Sequence, residues 1–552
     1  MKRLFTLLGQ VCVIWVLLGM GDFVYGQATV VRGPYLQMPR SDGMMLCWRT
    51  DVATDSEVRF GTDLANLDQV VVDTVQTTEH RVDVSGLQPF TKYYYSVGTS
   101  TEVLEGGNEA HYFVSSPTIG TDQPIRAWVT GDFGKGNQGQ IDVKQSFLDY
   151  TGDDHTDLWL WLGDNVYDSG TDEEFQQKVF DSIYGYHHIF KYLPFMPIPG
   201  NHDYLSINLL DDPEDHVGPY YDIVEVPTNG EIGGVPSGYE LYYSYDYGSV
   251  HFIALNSEII AWTGAVPFPP FVSSPMSEWL EQDLQANDKD WVVVYFHQPP
   301  YSKGSHDSDD IWELLMEAMR ENFLPILEQY GVDLVLSGHS HAYERSYLIK
   351  GHYGNSGSWN ASTMLVDGSS GNDAVGEAYV KYKSGPNANE GTVYAVVGNS
   401  GSKTDDAAGS QHPAMFKFDY GNDVYGSLIL DIDGNRLDGK YLRSTGVIED
   451  SFTILKMEGA ASLDGFDAFG ELDIYPNPFK DQVQVNYTLD VSADIGFALY
   501  DLYGKLVHKV DNKVLGVGSY KEVLNLGDLS SGTYVLEVLV DDVKVQSKVV
   551  KY

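Results

Sequence analysis

Along the chain the spacing of apolar and polar residues changes character twice. From about residue 27 to 118, short runs mix aromatic and β-branched residues at nearly even intervals: Met44 to Arg49, Ser56 to Phe60, His80 to Val84 and Tyr93 to Val97. Gly43, Gly61, Gly86 and Pro89 punctuate them. This rhythm predicts short strands joined by turns, hence a small β-sandwich of about 90 residues, the size of an immunoglobulin-like module. At Pro124 the pattern becomes apolar runs alternating with helical spacing. Ser274 followed by Pro275 reads as a helix N-cap with proline at the first helical position, and Leu280 and Leu284 fall one turn apart. Ile311 to Tyr330 has helical spacing that Pro325 should kink or divide. Buried strands interleaved with helices predict an α/β layered domain over residues 122–455. From Leu472 to Tyr552 the strand pattern returns, with Gln482 to Tyr487, Gly496 to Tyr500, Lys521 to Leu526, Thr533 to Leu539 and Val543 to Val550 as candidates for a second small β-sandwich. The stretch 456–471 reads as a linker, and the first sandwich occupies 27–120.

Composition and charge narrow the possibilities. A chain of 552 residues exceeds one typical domain of roughly 100–200 residues, in keeping with this division. With 34 Lys and Arg against 79 Asp and Glu, the formal net charge is −45, which argues against nucleic acid or an anionic membrane as partner. An anionic substrate would have to be captured by something other than the overall field, and bound metal ions would serve. Lys2 and Arg3 precede the apolar run Leu4 to Leu18, and Val24-Tyr25-Gly26 resembles a cleavage site, so residues 1–26 read as a signal peptide. The run is shorter than the roughly 20 residues of a bilayer span. No integral membrane segment is expected after cleavage. Cys12 lies in this segment, leaving Cys47 alone, with no internal disulfide and no cysteine-based zinc site.

Five apolar runs of the middle domain end in metal-capable side chains. Ile125 to Thr130 leads into Gly131-Asp132, Leu158 to Leu162 into Gly163-Asp164, and Phe195 to Ile198 into Gly200-Asn201-His202-Asp203. Trp291 to Phe296 leads into His297, and Val332 to Leu336 into Gly338-His339-Ser340-His341. Ligands of open α/β sheets bind beyond the carboxyl ends of the strands, so the five segments can converge. A Gly-Asp pair alone is usually a turn, and a lone histidine is usually structural; five matches in order point to a metal site. Carboxylates and imidazoles suit iron, zinc and manganese. Two such ions clamp the attacking and leaving oxygens of an in-line displacement, the chemistry of phosphate-ester hydrolysis.

The ordered set GDFG from Gly131, GDNVY from Gly163 to Tyr167, GNHD from Gly200 to Asp203, VYFH from Val294 to His297 and GHSHAYER from Gly338 to Arg345 resembles the purple acid phosphatases of the calcineurin-like metallophosphoesterase superfamily. The resemblance implies a layered αββα metallophosphoesterase domain behind an N-terminal sandwich of fibronectin III or immunoglobulin type. It also implies that Asp132, Asp164, Tyr167 and His341 bind Fe(III), and that Asp164, Asn201, His297 and His339 bind a divalent ion (Fe, Zn or Mn), Asp164 bridging the two. His202 resembles the family histidine that contacts the phosphate. His306, nine residues after His297, stands where the family carries a histidine thought to protonate the leaving group, although here Asp307 follows where family members have paired histidines.

In the tail, DIYPNPF from Asp473, ALYDLYGK from Ala498, LSSGTY from Leu529 and the terminal KVVK resemble the type IX secretion sorting domain. Together these resemblances imply a secreted or cell-surface acid phosphatase, exported through the periplasm, with the secretion machinery as partner of the tail. It would hydrolyse small phosphate monoesters by attack of a metal-bound hydroxide. A phosphodiesterase, phytase or nucleotide pyrophosphatase with the same centre, and a non-catalytic surface binding protein, are the alternatives. The insert from Trp359 to Glu390 is expected either to shape the pocket or to form a surface loop.

Overall fold

Strands that are apolar on both faces can only be covered on both sides, and the middle domain is built from them: Leu158–Leu162 (LWLWL) and Trp291–Tyr295 (WVVVY) are buried at every position. In the computed structural model, which describes residues 27–206, 216–262, 274–385, 387–404, 411–421, 424–458, 469–489, 491–501, 505–540 and 543–552, these strands belong to two seven-stranded sheets. The expected signal peptide and residues 459–468 of the expected linker lie outside the described residues.

The first sheet runs in the order Tyr379–Tyr382, Ile448–Met457, Arg436–Arg443, Gly426–Asp433, Ile125–Thr130, Leu158–Leu162, Phe195–Ile198. The second runs Tyr243–Tyr247, Val250–Ala254, Trp291–Tyr295, Leu334–Ser337, Val393–Val397, Tyr343–Ser346, Met415–Asp419. Within the first, Ile125–Thr130, Leu158–Leu162 and Phe195–Ile198 are mutually parallel, and in the second Trp291–Tyr295 is parallel to Leu334–Ser337. These are the five strands whose ends carry the candidate ligands. Both sheets feed one apolar core, in which Trp128 stacks on Trp159 at 4.6 Å and Trp161 on Phe195 at 4.1 Å. The layered α/β fold flanked by two β-rich units is as expected.

Helices cover the sheets where their caps allow. Gln138–Thr151 starts at Asn137, whose side chain accepts from Gln140 N. Pro275–Ala286 starts at the expected Ser274 cap with proline in its first turn and buries Met276, Trp279, Leu280 and Leu284. The segment from Ile311 is divided, as Pro325 requires: helix Leu314–Ala318, a wider turn Met319–Phe323, then Leu324–Gln329 with the proline in its first turn.

In the N-terminal sandwich, the runs at Met44–Arg49 and Ser56–Phe60 are one strand, Gly43–Gly61, not two. Its pairing with Gln69–Ser85 shifts register around Thr54, so the chain changes direction without leaving the ladder. Arg32 and Arg49 both reach Asp172 of the middle domain, at 2.9 and 2.7 Å. The insert is sheet edge and not only loop: Leu365–Asp367 pairs with Leu348–Ile349 and Tyr379–Tyr382 with Ile448–Met457. In the tail, Phe469–Tyr475 and Leu506–Leu515 join the expected strands, and two sheets enclose a separate core. No helix among the described residues is long and apolar enough to cross a membrane.

One buried charge cluster ties a sheet to its covering helix. His251 lies between Asp246, at 2.7 Å, and Asp283 of helix Pro275–Ala286, at 2.9 Å, with Lys289 3.5 Å from Asp246. Burial alone would lower the imidazole pKa, but the hydrogen bonds and charges of the two carboxylates raise it to about 9. A folded-state value above the ordinary one of about 6.5 means that this stabilisation is complete below about pH 6.5 and fades as pH rises through 9. Thermal unfolding between pH 5.5 and 9.5 should therefore show the wild type's advantage over His251→Asn shrinking as pH rises; an advantage independent of pH would contradict this role.

Candidate metal centre

Each candidate ligand follows a strand that cannot shift, and the chain turns sharply to present it. Asp132, Asp164 and His339 all adopt left-handed backbone conformations, with φ of 56°, 48° and 64°. Such conformations cost a non-glycine residue of order 1–3 kcal/mol, so neighbouring bonds must hold them. Asp132 N donates to Gly163 O at 3.1 Å, and His339 N donates to Asp132 Oδ2 at 2.8 Å. Two glycines of the motifs are spatial requirements: a Cβ on Gly200 would collide with the backbone and carboxylate of Asp164, and one on Gly338 would lie 2.6 Å from Asp132 Oδ2.

The seven expected ligand residues come together as two groups joined by Asp164. In the first, Tyr167 OH donates to Asp132 Oδ1 at 2.9 Å and lies 3.3 Å from His341 Nε2; His341 Nε2 is 3.5 Å from Asp132 Oδ1. In the second, Asn201 Oδ1 is 3.1 Å from His297 Nε2 and 3.0 Å from His339 Nδ1. Asp164 Oδ1 is 3.4 Å from His297 Nε2, and ligand atoms of Asp132, Asp164 and His297 all lie within 4.8 Å of one another. Donors about 2.1 Å from a shared ion and roughly 90–109° apart stand about 3.0–3.4 Å from each other. The observed spacings fit that requirement, and so does the donor set of carboxylate, phenol, amide and imidazole.

The histidines are oriented from behind. His297 Nδ1 is 2.8 Å from Leu162 O, which it can reach only as a donor, leaving Nε2 for the centre. His339 turns Nδ1 inward and its Nε2 toward Glu313 Oε2, 3.5 Å away. Glu313 was not evident in the sequence: it belongs to no motif, yet its other oxygen is 2.6 Å from His306 Nδ1. The His306 ring lies 3.8 Å from that of His339, so the structure brings His306 to the centre's edge. His202 sits on the opposite loop, its backbone N donating to Asp164 Oδ1 at 2.8 Å and its Nδ1 2.7 Å from Asp168 O. Arg345, given no chemistry from sequence, pairs with buried Asp450 through two bonds of 2.6 and 3.0 Å.

Charge in the protein chain by itself is dominated by burial. Burial, then the carboxylates of Asp132 and Asp164, hold the Tyr167 phenol well above its ordinary pKa. Burial would lower His297, but the charges of Asp164, Asp132 and Glu258 raise it to about 9. Burial is the main cause that depresses His339 to about 4. Asp203, the last residue of GNHD, is pushed up to about 8 by burial and by Asp164. It accepts from Gly200 N at 2.8 Å, from Asn165 N at 3.1 Å and from Asn165 Nδ2 at 3.0 Å, and so fixes the loop carrying Asn201.

Comparison with known proteins agrees with this architecture. Residues 125–343 match the calcineurin-like phosphoesterase family, residues 32–117 the purple acid phosphatase N-terminal domain, and residues 473–552 the secretion system C-terminal sorting domain. Purple acid phosphatase 1 of Ipomoea batatas is 26% identical over 350 residues, 58% of this chain and 65% of that protein. Purple acid phosphatase 15 of Arabidopsis thaliana is 30% identical over 296 residues, 49% of this chain and 50% of that protein. The matched stretch thus spans half to two thirds of these relatives' length. A purple acid phosphatase from yellow lupin (Lupinus luteus) seeds shares the fold, with a TM-score of 0.58 at 19% identity over 77% of this chain and 74% of that one.

The middle domain is a calcineurin-like phosphoesterase domain. With its N-terminal domain and tail, the chain is a purple acid phosphatase-like protein of that superfamily, carrying a C-terminal secretion sorting domain. That tail implies a secreted or outer-surface location.

Replacing Asp203 by Ala leaves three buried N–H donors without their acceptor, at a cost of about 1–3 kcal/mol each before relaxation. The variant should unfold at a clearly lower temperature; an unchanged melting temperature would show that Asp203 does not hold this loop.

Proposed function

We propose that this protein is a secreted phosphatase that hydrolyses phosphate monoesters at a centre of two metal ions. The observation that carries this reading is the pair of donor groups with Asp164 between them. Asp132, Asp164, Tyr167 and His341 would hold Fe(III); Asp164, Asn201, His297 and His339 would hold a divalent ion, Fe, Zn or Mn. Tyr167 supplies the hard phenolate oxygen suited to Fe(III), while Asn201, a neutral amide, suits an ion of lower charge. When bound, the two ions supply an activated water and neutralise the charge of the phosphoryl oxygens.

The chain's own residues do the rest. His202 and His306 stand on opposite loops at the edge of the centre, both partly exposed. His202, whose Nδ1 donates to the carbonyl of Asp168, holds Nε2 4.0 Å from Asp164 Oδ2 and, when protonated on both nitrogens, would donate from it to a phosphoryl oxygen as charge builds there. His306 holds Glu313 through Nδ1 and, when protonated on both nitrogens, would offer its Nε2 proton to the leaving alkoxide. A non-catalytic surface role would sit more naturally with a broken donor set, and every expected position carries a donor.

Protein supplied with iron and zinc should contain about two metal ions per chain, absorb visible light and hydrolyse simple phosphomonoesters. Asp164→Ala should lose metal and at least 100-fold in activity, and Tyr167→Phe should lose the visible band. A band that survives Tyr167→Phe would contradict the phenolate assignment. His306→Ala should slow esters of poor alkyl leaving groups by about 10²–10⁴ and nitrophenyl esters far less; equal losses on both would remove His306 as proton donor.

A further inference from the structure

Tyr167 offers more than an oxygen to the centre, because a cation covers its ring. Lys135 Nζ lies 3.5 Å from the ring centroid and 3.5 Å from Asp168 Oδ1. The backbone fixes this placement. Tyr167 N donates to Gly134 O at 3.0 Å, and Lys135 N donates to Phe133 O at 2.8 Å, so the two strand-end loops are tied at the point where lysine and tyrosine meet. Gly134 lets them approach, since a Cβ there would collide with the Asn165 carbonyl and Val166 Cα. The lysine side chain is 29% exposed, whereas its partner Asp168 is 84% exposed. Solvent therefore screens the carboxylate more than it screens the ammonium's action on the buried ring.

We propose that Lys135 tunes the electron density of the Tyr167 phenolate toward the ferric ion; this rests on Tyr167 being the Fe(III) ligand. An ammonium over a ring face attracts the π electrons, and it attracts them more strongly when the ring belongs to a phenolate. A charge-transfer transition moves an electron from that ring toward iron and away from the ammonium, so Lys135 raises its energy and places the band at shorter wavelength. By the same attraction the phenolate donates less to iron, and the added positive charge makes one-electron reduction of Fe(III) by an external reductant easier. The midpoint potential of the iron is therefore higher with Lys135 than without it. Lys135 touches neither substrate nor the reacting atoms and acts only through Tyr167.

The test compares the iron-loaded full chain with Lys135→Met and Lys135→Arg, reading the visible maximum, the iron midpoint potential and the metal content. Lys135→Met should keep its iron, move the band to longer wavelength and lower the potential, while Lys135→Arg stays near the wild type. A merely structural lysine would alter metal content or melting temperature without moving either readout in the iron-loaded fraction. Should Lys135→Met fail to hold iron, Lys135→Gln is read in the same way, and loss of iron from both overturns the tuning role. A coloured wild type whose band and potential are unmoved in Lys135→Met overturns this inference and leaves the metal centre standing. A colourless iron-loaded wild type overturns the Tyr167 assignment, and this inference with it.

Discussion

Everything at the centre depends on crowding like groups together at the ends of strands that cannot retreat. Asp132 and Asp164 are essentially buried, and Asp203 and Glu258 lie close behind them. Buried carboxylates are costly unless an opposite charge or several donors meet them. Within the chain, His297 and a set of backbone N–H groups meet part of that demand, and the local strain shows in the left-handed conformations of Asp132, Asp164 and His339. Parallel strands buried on both faces provide the rigidity that makes such an arrangement sustainable. A concentrated positive charge between the two donor groups would relieve both the repulsion and the desolvation, so the site is shaped by what it must hold.

The same logic would let an acidic protein attract a phosphate ester, as the proposed function requires. The long-range field of a chain with net charge −45 repels anions, whereas cations held by carboxylates create a positive potential over a few ångströms only. The N-terminal sandwich is pinned to the middle domain by Arg32 and Arg49 on Asp172, eight residues beyond Asp164, and so braces the loop that carries Tyr167. The tail reaches the insert instead, where Lys548 Nζ lies 3.1 Å from Asp367 Oδ2 and donates to Ala378 O at 3.1 Å.

What could be read from sequence was what short-range pattern controls. Strand ends followed by Gly-Asp or Gly-His, the Ser274-Pro275 cap and the break at Pro325 are all local signals, and the described elements begin or end where those signals fall. Pattern failed where one strand continues through polar residues: Met44 to Arg49 and Ser56 to Phe60 read as two strands, yet Gly43–Gly61 is unbroken because its partner Gln69–Ser85 follows it through the register shift. Residues that act from behind the centre carried no readable role for a different reason. Glu313, Lys135 and Asp203 take their roles from which loops the sheets bring side by side, and spacing along the chain carries no record of that. The insert was ambiguous on the same ground, since a sheet-edge strand such as Tyr379–Tyr382 is defined by its neighbour Ile448–Met457.

The central claim is that two cations share Asp164. Anomalous diffraction from crystals of the iron- and zinc-loaded protein, recorded at both absorption edges, tests it most directly. The account predicts two peaks roughly 3.5–4 Å apart, iron beside Tyr167 and the second metal beside Asn201, with the Asp164 carboxylate reaching both. A single peak, or two that Asp164 does not join, would contradict it.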